Sequence, residues 1–127
     1  MENRKEQSEI IGPLDQLISF SIGDEDFGVD IQTVKEVIKY REITRLPKAP
    51  AFVKGIINLR GDVIPIIDLR ERFGMDQKEF TNMTRIIVVE VEGRSIGTVV
   101  DSVSHVIRIE SGQPKKQSLI MRLEQLF

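Results

Sequence analysis

The residues of this chain that could do chemistry are few and far apart. His105 is the single histidine and there is no cysteine, and no carboxylates are spaced to complete a zinc site around that histidine. A structural or solvent-facing His105 is the favoured interpretation. Asp68 and Asp101 could form an acid/base pair, but a helix cap and a turn residue explain them better. The sequence therefore predicts a protein that is not an enzyme and holds no metal or cofactor.

Two short motifs resemble functional sites only superficially. The glycines at 55 and 61 are spaced as in a phosphate loop, but the Lys-Ser/Thr pair that contacts phosphate is missing, and Asp62 would repel the anion. Arg60-Gly61-Asp62 spells a cell-adhesion tripeptide, yet the polar N-terminus carries no secretion signal. On spacing alone, Arg60 is either a solvated turn residue or a partner contact.

Composition excludes further classes of function. The chain has 127 residues, 40% of them hydrophobic and 30% charged, with a net charge of −2. That length fits one domain, or two very small sub-domains that share a core. The balanced charge lacks the basic footprint of a nucleic-acid binder. No apolar run approaches the length of a membrane span, so the sequence predicts a cytoplasmic protein without direct membrane insertion.

Alternating apolar and polar residues predict short strands. The pattern favours a hairpin over 16–31, where Gly28 suggests close approach by another backbone, and further strands over 85–91, 95–100 and 103–109. The stretch 32–38 fits either a helical turn or a third strand. Segments 40–51 and 75–83 are predicted loops, and 118–127 is an apolar run with room for a helical turn.

The most informative stretch runs from Phe52 to Gly74. It predicts a strand, a tight turn around Gly61, a strand over 63–67 and a short helix capped by Asp68 and ended by Gly74. Pro65 lies inside the second strand, and a proline cannot donate to a sheet ladder, so the pattern places this strand at an edge or a bulge.

An internal repeat relates the two halves of the chain. A shift of 69 places Gly28 on Gly97 and superimposes the apolar positions of 18–38 on those of 87–107. A shift of 54 aligns 66–73 with 120–127. The difference means that the second half lacks 15 residues, roughly the counterparts of the loop and of the strand that carries 52–60.

These patterns predict a mainly β fold with two SH3-like small barrels that share a core, the second one incomplete. Residues 1–13 are predicted to be a flexible tail and 14–127 a single domain. The first barrel spans about 16–82 and the second about 84–127, with exchange of strands between them left open.

Three segments together resemble one known family. The run FVKGIINLRGDVIPIIDLRERFG is similar to the hallmark segment of the CheW-type chemotaxis coupling proteins. QLISFSIGDEDFGVDIQTVKEVIKY resembles the start of that family, and RSIGTVVDSVSHVIRI resembles its second half. The resemblance runs from about residue 16 to 109. It implies a non-catalytic scaffold that couples the cytoplasmic tips of transmembrane methyl-accepting chemoreceptors to the regulatory domain of the histidine kinase CheA, at the inner face of the membrane.

The resemblance also implies two sets of contact residues. Carried over position by position, the receptor-binding residues are Val34, Glu36, Gly55 and Arg60. The kinase-binding residues are Gly97, Val103 and Val106.

After residue 109 the chain departs from the family pattern, at the place where the repeat is short by 15 residues. An open second barrel would expose a sheet edge, which predicts self-association or completion by the kinase. The same gap leaves a degenerate adaptor as an alternative, one that binds receptors but couples the kinase weakly. A general SH3-like peptide-binding module is a further alternative, disfavoured because the chain has one Tyr and no Trp.

Overall fold

The structure, a computed structural model, describes the backbone of residues 16–108 and 118–120 and the side chains of 16–104. The predicted tail 1–13 and the predicted helical turn after 120 lie outside these residues. Nine strands are described: β1 (Gln16–Ile22), β2 (Glu25–Asp30), β3 (Val34–Lys39), β4 (Val53–Leu59), β5 (Asp62–Ile67), β6 (Arg85–Val91), β7 (Arg94–Val100), β8 (Ser102–Arg108) and β9 (Ser118–Ile120). A 3₁₀ turn spans Ile31–Thr33, and the helix α1 spans Leu69–Arg72. The fold is mainly β, as predicted.

The ambiguous stretch 32–38 contains both of its alternatives. The 3₁₀ turn comes first, with the Asp30 carboxylate accepting the N–H of Gln32 at 2.9 Å, and β3 follows at once. The predicted cap of α1 is confirmed. The Asp68 carboxylate accepts the N–H groups of Arg70 and Glu71 at 3.0 and 3.3 Å, and Gly74 follows the helix with φ of +73°.

The strands form two sheets, and each sheet takes strands from both halves of the sequence. A four-stranded sheet has the order β8-β1-β2-β9, and a five-stranded sheet has the order β3-β6-β7-β5-β4. Strand β3 of the first half thus pairs with β6 of the second, while β8 of the second half pairs with β1 of the first. The division into a first barrel over 16–82 and a second over 84–127 stays a prediction.

Strand registers support the internal repeat. Val34 lies opposite Val89 in the five-stranded sheet, and their counterparts at the shift of 69, Val103 and Phe20, lie opposite each other in the four-stranded sheet. Both pairings have a register irregularity at the same place. A chance resemblance between apolar strands would not reproduce the partners across two sheets, so the repeat is a property of the fold.

The parallel pairings obey the same relation. Ile66 of β5 lies opposite Gly97 of β7, and Ile120 of β9 lies opposite Gly28 of β2. The glycines share their surroundings too. A Cβ on Gly28 would lie 2.9 Å from Leu17 Cδ1, and one on Gly97 would lie 2.7 Å from Ile66 Cδ1. The predicted close approach of another backbone to Gly28 is therefore wrong, because a side chain fills that space.

Two apolar clusters form the core. One joins the two sheets and its buried members come from β1, β2, β5, β6, β7 and α1: Ile18, Phe20, Ile22, Phe27, Val29, Ile67, Leu69, Ile87, Val89 and Val100. The other lies within the five-stranded sheet: Ile57, Leu59, Ile64, Ile66, Ile86 and Val88. Strand β6 contributes alternate residues to each cluster, as the period of two in a strand requires, which explains its uninterrupted apolar sequence.

The prediction that Pro65 marks an edge strand is wrong, because β5 lies between β4 and β7. The parallel pairing of β5 with β7 involves only Ile66 and Ile67, while the pairing with β4 includes Pro65 opposite Ile56. Pro65 therefore precedes the point where β7 joins. The missing N–H is tolerated there because the strand has no ladder partner on that side.

Candidate functional site

Arg60 occupies the turn between β4 and β5. Leu59 lies opposite Asp62, so the hairpin has a two-residue turn, and both turn residues have positive φ, +52° at Arg60 and +91° at Gly61. That combination is a type I′ turn, which normally takes Asn or Gly at its first position. The Asn58 side chain accepts the Gly61 N–H at 3.0 Å. An arginine in the left-handed region is strained, and such strain is concentrated at functional positions.

The guanidinium of Arg60 meets Glu36 on β3. Arg60 Nη1 donates to Glu36 Oε2 at 3.3 Å, and Nη2 donates to Oε1 in a second, shorter bond. This side-chain hydrogen bonding lowers the pKa of Glu36 below its ordinary value and raises that of Arg60. The Arg60 side chain is nevertheless 69% exposed and that of Glu36 30%, so the pair stands at the surface with its charge in solvent.

This ion pair also defines the shape of the sheet. Strand β3 is at one end of the five-stranded sheet and the β4–β5 hairpin is at the other, yet Glu36 and Arg60 are in contact. The sheet therefore curls until its two ends approach each other, which matches the predicted barrel-like curvature. Two residues 24 positions apart in sequence thus become one charged feature on the surface.

The other two predicted receptor-binding residues differ from this pair. Val34 is half-buried at the start of β3 and packs against the core that joins the sheets. Gly55 is buried, and a Cβ there would lie 2.1 Å from the Thr44 carbonyl oxygen. Thr44 and Ile56 exchange backbone hydrogen bonds of 2.8 and 2.9 Å across this contact. The structure gives Gly55 a packing role, because it admits the loop of the same chain, and its receptor contact stays a prediction.

A groove beside the Arg60 turn was missed by sequence reasoning. It has a volume of about 440 Å³ and is lined by residues of β5 and β7: Asp62, Val63, Ile64, Pro65, Arg94, Ser95 and Ile96. Val63 is 62% exposed, although its apolar run predicted a buried strand. The groove opens where β5 and β7 are not yet paired, so only knowledge of the sheet order would have located it.

The predicted kinase-binding residues lie in the second half. Gly97 on β7 is buried beneath Ile66 and Ile86, so it has a packing role whatever else it does. Val103 on β8 is half-buried and packs against the core that joins the sheets. The backbone of Val106 pairs with Ile18, and its side chain lies outside the described part. The three kinase assignments stay predictions.

A polar cluster joins the two halves behind these surfaces. Arg70 Nη2 of α1 donates to Asp101 Oδ2 at 2.6 Å, and the Gly23 N–H donates to the same oxygen at 2.8 Å. The side chains of Arg70 and Asp101 are only 15% and 19% exposed. Burial raises the pKa of Asp101, but the hydrogen bonds from Arg70 and Gly23 outweigh it and place the pKa below its ordinary value.

The two carboxylates weighed as an acid/base pair are thus committed to structural partners. Asp68 caps α1 and lies 3.8 Å from Lys54 Nζ, while Asp101 holds Arg70. Among the residues that the structure describes, no group of three His, Cys, Asp or Glu side chains could hold a metal ion. Within the same residues, no helix is long and apolar enough to cross a membrane.

Comparison with known proteins identifies the family. The model of the CheW-like domain matches residues 16–125, which include both sheets and the Arg60 turn. The chain belongs to the CheW-like domain family. A solved structure agrees with this CheW-like fold: the scaffolding protein TtCheW from Thermoanaerobacter tengcongensis has a TM-score of 0.76 and 35% identity, over 86% of this chain and 88% of that one.

Curated relatives are similar to the same part of this CheW-like chain. The chemotaxis protein CheW of Rhizobium meliloti is 44% identical over 94 residues, which are 74% of this chain and 61% of the relative. CheW of Bacillus subtilis is 32% identical over 99 residues, 78% of this chain and 64% of the relative. The matched part of the chain thus spans about three fifths of the length of these relatives.

Proposed function

We propose that this CheW-like chain is a non-catalytic scaffold that couples transmembrane chemoreceptors to the histidine kinase CheA in chemotaxis. It would act in the cytoplasm and join the inner face of the membrane through the receptor tips. The observation that carries the proposal is the Arg60–Glu36 pair, a strained and exposed charged feature at the end of a CheW-like sheet. Membership of a family whose relatives are named as chemotaxis proteins supports it.

The surface around Arg60 suits a helix of a receptor tip. The exposed ion pair supplies polar groups, while Val63, Pro65 and Ile96 line an apolar groove next to it. Interfaces of signalling proteins combine apolar area with a polar rim and a few dominant side chains, among which Arg is enriched. We assign Val34, Glu36 and Arg60 to the receptor-binding surface and give Gly55 an indirect role as the residue that lets loop 43–44 pack on β4.

We assign the kinase contact to the second half, through Val103 and Val106, with Gly97 acting through packing. Val34 and Val103 are equivalent in the repeat, and they lie on strands that end different sheets. One fold would then offer two related surfaces to two different partners. That arrangement is what an adaptor needs in order to hold both partners at once.

The deciding experiment uses Arg60→Ala with Glu92→Ala as its matched control. Glu92 has the same φ of +52° in the turn between β6 and β7, so both substitutions put alanine into the same strained backbone. We expect Arg60→Ala to weaken binding of a receptor-tip fragment about tenfold and to leave binding of the CheA regulatory domain unchanged. Glu92→Ala should retain both. Equal loss of both partners by Arg60→Ala at unchanged stability would contradict the assignment of surfaces.

A second candidate function is a degenerate adaptor that binds receptor tips but couples the kinase weakly. The connection from β8 to β9 favours it, because residues 109–117 are too few to contain a counterpart of the loop and strand at 40–59. Kinase activity in a reconstituted mixture of receptor, kinase and this chain separates the two. Activation comparable to that by a full-length CheW supports coupling, and receptor binding without activation supports the degenerate adaptor.

A further inference from the structure

The four-stranded sheet ends at a position that is covered in the other sheet. β9 corresponds to β5 in the repeat, and each pairs in parallel with the second strand of a hairpin, β2 or β7. The other side of β5 carries β4, antiparallel, over six paired positions from Val53–Ile67 to Leu59–Asp62. Within the ranges that the structure describes, no strand pairs with the corresponding side of β9.

Chain length explains why the covering strand has no counterpart between β8 and β9. In the first half, β3 and β5 are separated by residues 40–61, which contain a long loop, the seven-residue β4 and a tight turn. In the second half, β8 and β9 are separated only by 109–117. Nine residues cannot supply both a strand as long as β4 and the loop that leads into it.

The sequence of β9 offers no protection against pairing with another chain. Edge strands are normally blocked by charges, by proline or by a bulge. Ser118, Leu119 and Ile120 include neither a charge nor a proline, and their pairing with β2 is regular. The backbone groups on the outer side of this strand are therefore free to form a ladder in the direction that β4 takes on β5.

We propose that β9 pairs with β9 of a second copy of this chain, antiparallel across a twofold axis beside Leu119. Two identical strand edges related by a twofold axis meet antiparallel, which is the direction the vacant position requires. The second copy presents the same unprotected edge, so one contact satisfies both chains at once. The sheets join into a continuous one with the order β8-β1-β2-β9-β9-β2-β1-β8.

The contact is small, because each copy contributes a strand of three residues. Interfaces of this size are weak and transient, so the dimer forms in the upper part of the micromolar-to-millimolar range and dissociates on dilution. It leaves the Arg60 turn free, since that turn belongs to the other sheet. Receptor binding and dimer formation are therefore independent.

The test begins with analytical ultracentrifugation of the full chain over that concentration range. We expect a reversible monomer–dimer equilibrium. Because the chain has no cysteine, Leu119→Cys introduces a single thiol next to its own copy across the axis. Under mild oxidation it should form a disulfide-linked dimer. Ser104→Cys is the matched control, an exposed position on β8 at the opposite end of the same sheet, and it should crosslink much less.

Proline substitutions at Leu119 and Ile120 localise the contact. Successive residues of a strand direct their N–H groups to opposite sides, so one proline removes a donor to β2 and the other removes a donor to the second copy. One variant should lower the melting temperature, and the other should keep it and lose the dimer.

Three outcomes would overturn the proposal. They are a monomer at every concentration with no preferential crosslinking of Leu119→Cys, a dimer that survives both prolines, and a chain that stays monomeric alone but pairs β9 with the kinase domain. If neither proline variant folds, the crosslinking comparison between Leu119→Cys and Ser104→Cys still decides.

Discussion

The β4 end of the five-stranded sheet and the β9 end of the four-stranded sheet are equivalent in the repeat but are built differently. At the first, β4 covers β5 and ends in the strained turn that holds Arg60. At the second, the described residues provide no strand over β9. The features common to both ends, such as the glycines beneath Leu17 and Ile66, serve packing. The candidate partner surface lies where the halves differ, which indicates that specialisation followed from the segment present only once.

Gly55→Ala tests how far the unique segment depends on close packing and should have the largest effect. The Cβ would lie 2.1 Å from the Thr44 carbonyl oxygen, a backbone atom, at a φ of +154° that suits glycine. Overpacking against backbone and the unfavourable dihedral together should cost about 3 kcal/mol or more. Urea denaturation followed by circular dichroism measures it. A loss below about 1 kcal/mol would show that loop 43–44 moves away easily.

Asp101→Asn tests the contact that joins the two halves. It removes the charge that accepts hydrogen bonds from Arg70 and Gly23, and we expect a loss of about 1.5–3 kcal/mol at neutral pH. The pKa of Asp101 is lower in the folded chain than its ordinary 3.8. Its contribution is therefore complete above that pH and is lost as the pH falls through the folded value.

Denaturation curves of both proteins at several pH values measure the Asp101 effect. The difference between wild type and Asp101→Asn should shrink in acid. A difference that is constant down to the lowest pH would mean that the carboxylate charge does not matter there.

Gly97→Ala against Gly28→Ala compares equivalent glycines in the two halves. The Cβ at Gly97 would meet Ile66 at 2.7 Å and Ile86 at 3.1 Å, whereas that at Gly28 would meet only Leu17 among the described side chains, closest at 2.9 Å. Both substitutions should destabilise the chain by about 1–3 kcal/mol, with Gly97→Ala the larger. Thermal unfolding of the two variants gives the order, and the reverse order would show that the second half is packed as tightly as the first.

Arg60→Gly against Glu92→Gly compares the two strained turns and should show the smallest effect. Each substitution relieves a positive φ of +52°, and for Glu92 we expect a gain of up to about 1 kcal/mol. Arg60→Gly should gain less, because it also loses the ion pair with Glu36. Chemical denaturation of both variants reports the difference. An equal gain would show that the ion pair adds nothing to folding and serves partner binding alone.

Local features of this fold could be predicted from the sequence because they depend on neighbouring residues. Alternation located the strands, Asp68 and Gly74 marked the ends of α1, and the spacing of Gly28 and Gly97 revealed the repeat. The pairing of β8 with β1 could not be predicted, since nothing in either strand specifies a partner some 85 residues away. The same limit applies to the Arg60–Glu36 and Arg70–Asp101 pairs, which exist only because the sheets bring separate segments together.

The family resemblance supplied what the spacing could not. Arg60 was ambiguous between a solvated turn residue and a partner contact until its positive φ and its ion pair were known. Gly55 and Gly97 were assigned to partners by analogy, and both turn out to be buried. A glycine that a family retains for packing cannot be distinguished by sequence from one retained for binding.

The interleaved order of the strands has a consequence for synthesis on the ribosome. When the first 82 residues have emerged, β1 and β3 still lack β8 and β6, the strands beside which they finally lie. Contacts between such distant segments form slowly, because a long loop must close before any of them is made. The chain therefore completes its fold only after nearly all of it has been translated, and its early segments need shielding until then.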